Sequence, residues 1–286
     1  MESPFNDSRI DSLSSNLIGN GRPFDMLRDD LIHPIVSGNK WRKLKYIIQT
    51  ALSENKTHLV SFGGAYSNHL VALAFAGKYF DIQTSAFVRG DEERAPNHYE
   101  LICLENGMKL IKTDRSSFRN KQALFDNKFG ENQDVMMVGE GGDHPMALPG
   151  CEEIWQEIGD AYDYVILSLG TGTTMEGLVK GLNNTKTKVL GISSLKNNHD
   201  LDKRMAKYPS NKYYISHDFH RGKYAKSDPE LIQFIQSFYQ ETGIKTDTVY
   251  TGKMLMAVDA LIQQGIIQSQ HKILCIHTGG LLAFPA

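Results

Sequence analysis

Three short segments of the sequence carry the side chains best suited to covalent chemistry and anion binding. Residues 37–44 surround Lys40, residues 63–69 end in a serine, an asparagine and a histidine, and residues 170–174 read Gly-Thr-Gly-Thr-Thr. A lysine amine can bond to a carbonyl carbon, and a glycine-rich turn can bind a phosphate through its backbone N–H groups. Pyridoxal phosphate (PLP) carries both an aldehyde and a phosphate, so the three segments together predict a PLP site.

The anion-binding turn is Gly170-Thr171-Gly172-Thr173-Thr174, which follows an apolar stretch and opens a helical pattern. The first N–H groups of a helix have no partner within the helix and carry partial positive charge. Glycines allow close approach of an anion, and threonine hydroxyls add donors. We expect a phosphate here, with a plain turn capped by threonines as the alternative. The spacing fits neither a P-loop nor a dinucleotide fingerprint.

The second segment places Ser67, Asn68 and His69 after Gly63-Gly64, at the start of a predicted helix. Ser67 could bind a carboxylate, and Asn68 could bond a phenolate oxygen of a cofactor ring. Backbone N–H groups at a helix start also suit a carboxylate. Capping of the helix by serine or asparagine explains the same residues.

Lys40 lies among other basic residues, Arg42, Lys43 and Lys45, so a solvated helix face is one interpretation. The residues Ser-Gly-Asn before it predict a tight loop that delivers Lys40 at a helix start. Nearby positive charge there can lower the pKa of its amine and favour the nucleophilic form.

Two further turns carry polar side chains that could reach a cofactor. Tyr250 and Thr251 precede an apolar helical pattern and offer a phenol and a hydroxyl, although a helix cap at Thr251 is equally compatible with the spacing. His277 follows an apolar strand and precedes two glycines, and a structural role is expected for it. The ten histidines show no metal-binding spacing, so no metal is predicted. No G-x-S-x-G elbow indicates a serine hydrolase.

Composition limits the classes of protein that the chain can belong to. Its 286 residues, 41% of them hydrophobic, are enough for a large buried core, expected in two lobes. A net charge of −2 gives no indication of nucleic-acid or anionic-membrane binding. The polar start of the sequence lacks a signal-peptide pattern, so a cytoplasmic protein is expected. Cys103, Cys151 and Cys275 are far apart, and free core thiols are predicted.

Strand-like and helix-like patterns alternate along the chain, which predicts an α/β fold with parallel sheets covered by helices on both faces. The predicted strands are residues 59–62, 82–88, 109–112, 134–138, 164–168, 188–193 and 272–276. The predicted helices are residues 67–80, 97–106, 116–127, 152–158, 173–182, 229–241 and 253–264. Both glycine-rich turns then lie at carboxyl ends of strands, where such sheets bind ligands. We expect a small domain at 44–138 and a large, discontinuous PLP-binding domain at 1–43 and 139–286.

Taken together, these segments resemble the PLP-dependent family of 1-aminocyclopropane-1-carboxylate (ACC) deaminase and D-cysteine desulfhydrase, which has the tryptophan-synthase-β-like fold, fold type II. The matching segments are residues 28–33, 37–44, 63–64 with 67–69, 140–142, 170–174, 249–253 and 277–281. They occur in order over almost the whole chain. The resemblance therefore implies a two-lobed PLP enzyme that acts on a small amino acid, and it suggests a homodimer.

The resemblance also implies a role for each matching residue. Lys40 would bind PLP covalently and move the Cα proton, Ser67 would hold the substrate carboxylate, and Asn68 would bond the ring oxygen. Residues 170–174 would hold the phosphate, Thr251 would face the pyridine nitrogen, and Tyr250 would lie by the substrate. The expected catalytic residues are Lys40, Ser67 and Tyr250. The expected cofactor-binding residues are Lys40, Asn68, Gly170, Thr171, Gly172, Thr173, Thr174 and Thr251. The expected substrate-binding residues are Tyr66, Ser67, Asn68, His69 and Tyr250.

Two positions depart from the family's pattern. Tyr66 stands where members often carry glutamine, which would reshape the substrate pocket. Thr251 stands where ACC deaminases typically carry glutamate. A carboxylate keeps the pyridine nitrogen protonated, and a neutral hydroxyl does so poorly. This difference favours β-elimination, which expels its leaving group at once, over cyclopropane ring opening.

We therefore expect a D-cysteine desulfhydrase-like lyase that gives pyruvate and ammonia. ACC deaminase is the alternative, and a catalytically weak PLP-binding protein is the second. A nucleotide-binding α/β protein that uses the turn at 170–174 is a further alternative, but it has no use for Lys40 or Asn68.

Overall fold

In the computed structural model, residues 4–90, 93–183, 186–196, 198–222 and 228–285 are described, and they form two compact units. Unit 1 comprises Met1–Asn39 and Cys151–Ala286, and unit 2 comprises Lys40–Gly150. The domain boundaries expected from the sequence, after residues 43 and 138, stay a prediction about separately folding domains. Residues 1–3, part of the N-terminal stretch used to predict localisation, lie outside the described residues.

Strands and helices alternate as the sequence pattern predicts. The strands are β1 (Ile10–Leu13), β2 (Phe24–Leu27), β3 (His58–Gly64), β4 (Gln83–Arg89), β5 (Lys109–Thr113), β6 (Val135–Met137), β7 (Tyr164–Leu169), β8 (Lys188–Ser193), β9 (Tyr213–Ser216) and β10 (Ile273–Ile276). The α-helices are α1 (Asn39–Ser53), α2 (Asn68–Tyr79), α3 (His98–Glu105), α4 (Lys121–Phe129), α5 (Leu148–Glu152), α6 (Ile154–Ile158), α7 (Thr173–Gly181), α8 (His199–Met205), α9 (Pro229–Thr242) and α10 (Thr251–Gln263).

Unit 1 is built on a six-stranded sheet in the order β1-β2-β10-β7-β8-β9, in which only the β1–β2 pair is antiparallel. Successive side chains of β10 pack into the hydrophobic clusters on opposite faces of the sheet, because side chains alternate along a strand. Ile273 and Cys275 pack with Met254 and Leu255 of α10, whereas Leu274 and Ile276 pack with residues of α6, α7 and α8. Helices therefore cover both faces of the sheet, which confirms the predicted fold class.

Unit 2 is built on a four-stranded, wholly parallel sheet in the order β5-β4-β3-β6. One core cluster of this unit is aromatic: the rings of Phe62 and Phe87 stack at 5.3 Å, and Phe118 meets Phe62 edge-on. This core holds β3 rigid, so the turn that follows Gly64 has a fixed starting point.

The structure differs from the sequence-based prediction where short elements occur. The helix predicted at 116–127 is instead a 3₁₀ turn, Ser117–Arg119, followed by α4, because the Asn120 side chain accepts from Ala123 N and restarts the helix. Strands β1, β2 and β9 and helices α5 and α8 were not predicted. Each has only four to seven residues, too few to establish a period.

Three structural findings concern the sequence-based expectations on thiols, metals and membranes. Cys103, Cys151 and Cys275 are buried thiols that form no disulfide among the described residues, as predicted. Across the described ranges, no group of His, Cys, Asp and Glu side chains could hold a metal ion. No helix in the part of the chain that the structure describes is long and apolar enough to cross a membrane.

Candidate active site

The turn after β7 gives helix α7 a start that no side chain caps. Gly172 is the N-cap residue with φ +86°, a left-handed conformation that favours glycine, and it makes no side-chain capping bond. The Thr171 and Thr173 hydroxyls lie 3.2 Å apart beside this turn. The first N–H groups of α7 are therefore not claimed by a capping side chain, as anion binding at a helix start requires. The threonine-capped alternative is not what the structure has.

Side chains of helix α8 and the loop before it hold the carbonyl side of the same turn. Asn198 Nδ2 donates to Gly170 O at 3.1 Å, and Arg204 Nη1 lies 3.5 Å from Thr171 O. Arg204 Nε is itself held by the buried carboxylate of Glu176, at 2.5 Å. Because the carbonyl groups are occupied, the turn keeps one fixed conformation. No sequence pattern pointed to Asn198 or Arg204, because α8 is too short for its pattern to be recognised.

Helix α10 begins at Thr251 and is capped from a distance by Asp247. Asp247 Oδ1 accepts from Val249 N at 2.8 Å and from Tyr250 N at 2.6 Å, and Oδ2 accepts from Thr251 N at 2.9 Å. Thr251 is fully buried, and its Oγ1 has no hydrogen-bond partner among the described residues. Thr251 is therefore not the helix cap that its spacing also allowed. Its hydroxyl is left for another partner.

Tyr250 lies beside the turn at 170–174 of unit 1. A Cβ placed on Gly170 would meet the Tyr250 ring, with Cε1 and Oη both at 3.4 Å. The structure thus places the Tyr250 ring next to this turn. Ser194, which follows β8, also has a buried Oγ without a hydrogen-bond partner among the described residues. Ser194 was missed because an isolated serine after a strand carries no pattern.

The loop before Lys40 is locked to the end of β10. Gly38, at φ +67°, packs so closely on Thr278 that an added Cβ would lie 1.8 Å from Thr278 O. Asn39 N donates to the same carbonyl at 3.4 Å, and Asn39 Nδ2 donates to Thr174 Oγ1 at 3.0 Å. Asn39, which directly precedes Lys40 in the chain, is therefore bonded to the first turn of α7.

In unit 2, Lys40 is the second residue of α1 and is half-buried. The buried ring of His69 is within its electrostatic reach. Burial lowers the pKa of His69 well below its usual value, and the positive charges of Lys40 and Lys43 lower it further. His69 Nε2 lies 2.8 Å from Ser61 Oγ, whereas Nδ1 is buried without a hydrogen-bond partner in the described ranges. His69 is therefore neutral, and its ring lies inside the unit.

A glycine-rich loop closes over this ring. A Cβ on Gly142 would lie 3.3 Å from His69 Nδ1 and 3.3 Å from Lys43 Cδ. Lys43 Nζ donates to Gly141 O at 3.1 Å. The basic face next to Lys40 is therefore not simply solvated, because Lys43 is buried and anchors the loop.

Ser67 and Asn68 form the start of helix α2, at the carboxyl end of β3. Ser67 is the N-cap, and its Oγ accepts from Leu70 N at 3.3 Å, so its hydroxyl proton is available to donate to a ligand. Asn68 follows as the first helical residue and is half-buried. Gly63 is required here because a Cβ would lie 2.8 Å from Ser67 Oγ.

Tyr66 precedes this helix start and is 60% exposed. Its ring meets the edge of Tyr99 at 5.6 Å, and Asn97 Nδ2 donates to the neighbouring Ala65 O at 3.0 Å. The aromatic side chain is therefore presented outward on a loop that α3 holds in place. No sequence pattern pointed to Asn97 or Tyr99 as supports of this loop.

The polar groups fit PLP on the atoms that the structure shows. In unit 1, an uncapped helix start suits the phosphate, and the unpartnered Thr251 hydroxyl suits the pyridine nitrogen. In unit 2, the half-buried Lys40 supplies an amine, and Ser67 supplies a hydroxyl proton. These are the donor types that PLP enzymes use to hold the cofactor and the substrate carboxylate.

Comparison with protein families and curated proteins supports this chemistry. The model of the family described as pyridoxal-phosphate-dependent enzyme matches residues 20–279. A putative ACC deaminase of Pyrococcus horikoshii is 28% identical over 275 residues, covering 89% of this chain and 83% of the relative. A bifunctional D-cysteine desulfhydrase/ACC deaminase of Arabidopsis thaliana, mitochondrial, is 26% identical over 92% of this chain and 73% of the relative.

Solved structures agree with the fold. A crystal structure of an ACC deaminase homologue has a TM-score of 0.85 at 24% identity, covering 99% of this chain and 93% of the other. A hydrogen sulfide-producing enzyme of Fusobacterium nucleatum has a TM-score of 0.71 at 12% identity, covering 98% of both chains. At these identities the likeness establishes the fold alone.

Proposed function

Because the chain belongs to the family of pyridoxal-phosphate-dependent enzymes, we propose that it is a lyase that eliminates the β-substituent of a small amino acid, with D-cysteine as the substrate. The predictions of the family, of PLP as cofactor and of a PLP-dependent lyase are confirmed at this level. The choice of substrate, the residue roles, the assembly and the location are our proposals.

The observation that carries the choice of reaction is the neutral hydroxyl of Thr251 at the start of α10. It is buried without a hydrogen-bond partner among the described residues, and the nearby Asp247 carboxylate is engaged by three backbone N–H groups. A hydroxyl stabilises a protonated ring nitrogen less than a carboxylate does, so it supports less storage of negative charge on the substrate. β-Elimination needs less of this storage than ring opening, because the leaving group departs with the electrons.

Lys40 is proposed as the lysine that would hold PLP, and its amine would take up the Cα proton of the substrate. PLP supplies the electron sink that makes this proton acidic. His69 near Lys40 supports this role, since its lowered pKa makes its imidazole a weak base that competes little for the proton that Lys40 takes up. Ser67 is proposed to donate to the substrate carboxylate, and Tyr250 to lie beside the departing sulfur.

Other residues are proposed to hold the cofactor and substrate without taking part in proton transfer. Asn68 bonds the ring oxygen, the turn from Gly170 to Thr174 binds the phosphate, and Thr251 meets the ring nitrogen. Tyr66 and the main chain of His69 border the substrate. The ring of His69 is buried against Ser61, which leaves its backbone as the substrate contact.

The proposed reaction balances with water as the co-reactant. The Cα–H and Cβ–S bonds break, the sulfur leaves as hydrogen sulfide, and the released enamine is hydrolysed to pyruvate and ammonia. No oxidant or reductant is needed.

ACC deamination is the alternative that the named relatives also support. The Cα of ACC carries no proton, so Tyr250 or Ser67 would have to start ring opening. A PLP-binding protein of low catalytic activity is the second alternative.

The test is a substrate panel assayed for pyruvate with the purified, PLP-loaded protein. We expect D-cysteine to be turned over faster than ACC, with Lys40→Ala inactive and Lys45→Ala, a change elsewhere on the same helix, active. Equal or reversed rates would assign the chain to the deaminase branch. No pyruvate from any amino acid would favour the PLP-binding protein of low activity.

We also propose a homodimer in the cytoplasm. The three buried thiols support a reducing compartment, since structural disulfides are absent from the described residues. Light scattering during gel filtration measures the assembly: two chains of 32.1 kDa give about 64 kDa, whereas a mass near that of one chain contradicts the dimer.

A further inference from the structure

One buried carboxylate in unit 1 has no part in the functions proposed so far. Asp247 is 1% exposed and lies in the loop before α10. Its carboxylate accepts hydrogen bonds from the backbone N–H groups of three consecutive residues, Val249, Tyr250 and Thr251, at 2.8, 2.6 and 2.9 Å. Two of these residues are the ones assigned to the substrate and to the ring nitrogen. The carboxylate therefore fixes the backbone of both.

This arrangement changes what Thr251 can do. A threonine at a helix start ordinarily uses its own hydroxyl to cap the first N–H groups. Here Asp247 does the capping, and Thr251 Oγ1 is fully buried with no hydrogen-bond partner in the described ranges. A buried hydroxyl without a hydrogen-bond partner costs free energy. Its presence at this position therefore indicates that a ligand atom forms the missing hydrogen bond.

Two titratable side chains, His277 and Lys253, interact electrostatically with Asp247, and each is fixed by its own hydrogen bonds. His277 is fully buried; its Nε2 bonds Lys245 O at 2.7 Å and its Nδ1 accepts from Gly279 N. Lys253, also buried, donates from Nζ to His220 O at 2.8 Å. Burial lowers the pKa of Lys253, and the charges of Asp247 and Asp228 oppose that change while Arg221 adds to it. Burial raises the pKa of Asp247, against the three N–H donors and His277.

We propose that Asp247 is a positioning residue for the cofactor, which acts through the backbone of Thr251 and Tyr250 to present the Thr251 hydroxyl to the ring nitrogen. The inference rests on the proposed role of Thr251. It assigns to Asp247 no contact with substrate or PLP. Its effect on the cofactor must therefore disappear when the Thr251 hydroxyl is removed.

A double-mutant cycle in cofactor binding tests this dependence. Asp247→Asn keeps the size of the side chain but replaces one accepting oxygen by an NH₂ donor. Thr251→Val replaces the hydroxyl by a methyl group of similar size. PLP dissociation constants are measured by fluorescence titration of the apoprotein, together with the absorbance of bound PLP. We expect each single variant to weaken PLP binding about tenfold and the double variant to be no weaker than either single variant. Both single variants should shift the absorbance band in the same direction.

A merely structural Asp247 predicts a different result. Asp247→Asn would then weaken PLP binding by the same factor in the Thr251→Val background as in the wild type. That result would overturn the proposal. An unchanged dissociation constant in Asp247→Asn would overturn it too, as would a wild-type chain that does not bind PLP. Should Asp247→Asn not fold, Asp247→Ser, whose hydroxyl can still accept at a helix start, takes its place in the cycle.

Asn120→Ala is the control. Asn120 caps helix α4 of unit 2 by accepting from Ala123 N, so its replacement removes a helix cap outside the unit that contains α10. We expect a lower melting temperature and an unchanged PLP dissociation constant. All readouts are made without substrate. A wild type that binds PLP but yields no pyruvate from D-cysteine would refute the proposed function and leave this test valid.

Discussion

At the scale of single residues, the chemistry depends on side chains that their neighbours keep available. The hydroxyl of Thr251 is released from capping by Asp247, and the hydroxyl of Ser67 accepts from Leu70 N while keeping its proton for a ligand. His69 is kept neutral by burial and by the charges of Lys40 and Lys43. These contacts tie each proposed role to a specific neighbour and make it testable by substitution.

Tyr66 is the residue through which substrate preference is best tested. Its ring is exposed on the loop before Ser67 and makes a T-shaped contact with Tyr99, so replacement costs little stability, within about 0.5 kcal/mol. We expect Tyr66→Gln to lower kcat/KM for D-cysteine about tenfold, because the aromatic surface beside the substrate is lost. Steady-state kinetics of pyruvate formation measures the effect.

Tyr79→Gln is the control for this prediction, since Tyr79 lies at the opposite end of α2 and is also partly exposed. It should leave kcat/KM unchanged. If Tyr66→Gln behaves in the same way as this control, Tyr66 does not border the substrate.

At the scale of elements, the start of α7 is the feature on which the proposed phosphate binding depends. Gly172 adopts φ +86°, and a Cβ there would lie 2.6 Å from Leu201 Cδ2. Gly172→Ala therefore combines a left-handed backbone penalty of about 1–2 kcal/mol with a clash against α8. We expect PLP binding to weaken at least about tenfold, because the turn must move away from the phosphate. Titration of the apoprotein with PLP measures this change.

Gly243→Ala separates the left-handed backbone penalty from the effect of the clash at the α7 turn. Gly243 ends helix α9 at φ +70°, and an added Cβ would meet nothing within 4 Å. This variant should lose about 1–2 kcal/mol of unfolding free energy with no change in PLP affinity. Equal PLP affinities for the two alanine variants would show that the α7 turn does not bind the phosphate.

The sequence predicted the long elements and the positions of the glycine-rich turns, because β7, β8 and α9 are long enough to show a period and end in recognisable signals. The side chains that hold these turns in place could not be predicted from the sequence. Arg204 lies on α8, a helix of seven residues, and Asn198 directly precedes it; both bond the turn at 170–174. Asp247 caps α10 from four residues before the helix begins. Such supports depend on tertiary contacts, which a single sequence does not display.

At the scale of the whole molecule, stability should depend on pH through buried carboxylates. Burial acts to raise the pKa of Glu176, but Lys207 and Arg204 outweigh it, and the pKa is lowered. A carboxyl group whose pKa is lower in the folded state stabilises fully above its unfolded pKa, about 4.3, and loses that contribution as pH falls. The folded chain should therefore lose stability on acidification below about pH 5.

Glu176→Gln tests this linkage. We expect it to cost roughly 1–3 kcal/mol near neutral pH, because Arg204 and Lys207 lose their anion, and to flatten the fall of stability between about pH 5 and 3. Urea unfolding at a series of pH values measures both. Glu131→Gln, at an exposed site, is the control and should leave the profile unchanged. A Glu176→Gln profile parallel to that of the wild type would contradict the assignment.

The most direct test of the account is the covalent attachment of PLP to Lys40. The protein is loaded with PLP, reduced with borohydride, digested and examined by mass spectrometry. We predict that the reduced cofactor is found on the peptide containing Lys40, that Lys40→Ala carries none there, and that Lys45→Ala carries it as the wild type does. Absence of the added mass from the Lys40 peptide of the wild type, or its presence on another lysine, would contradict the account.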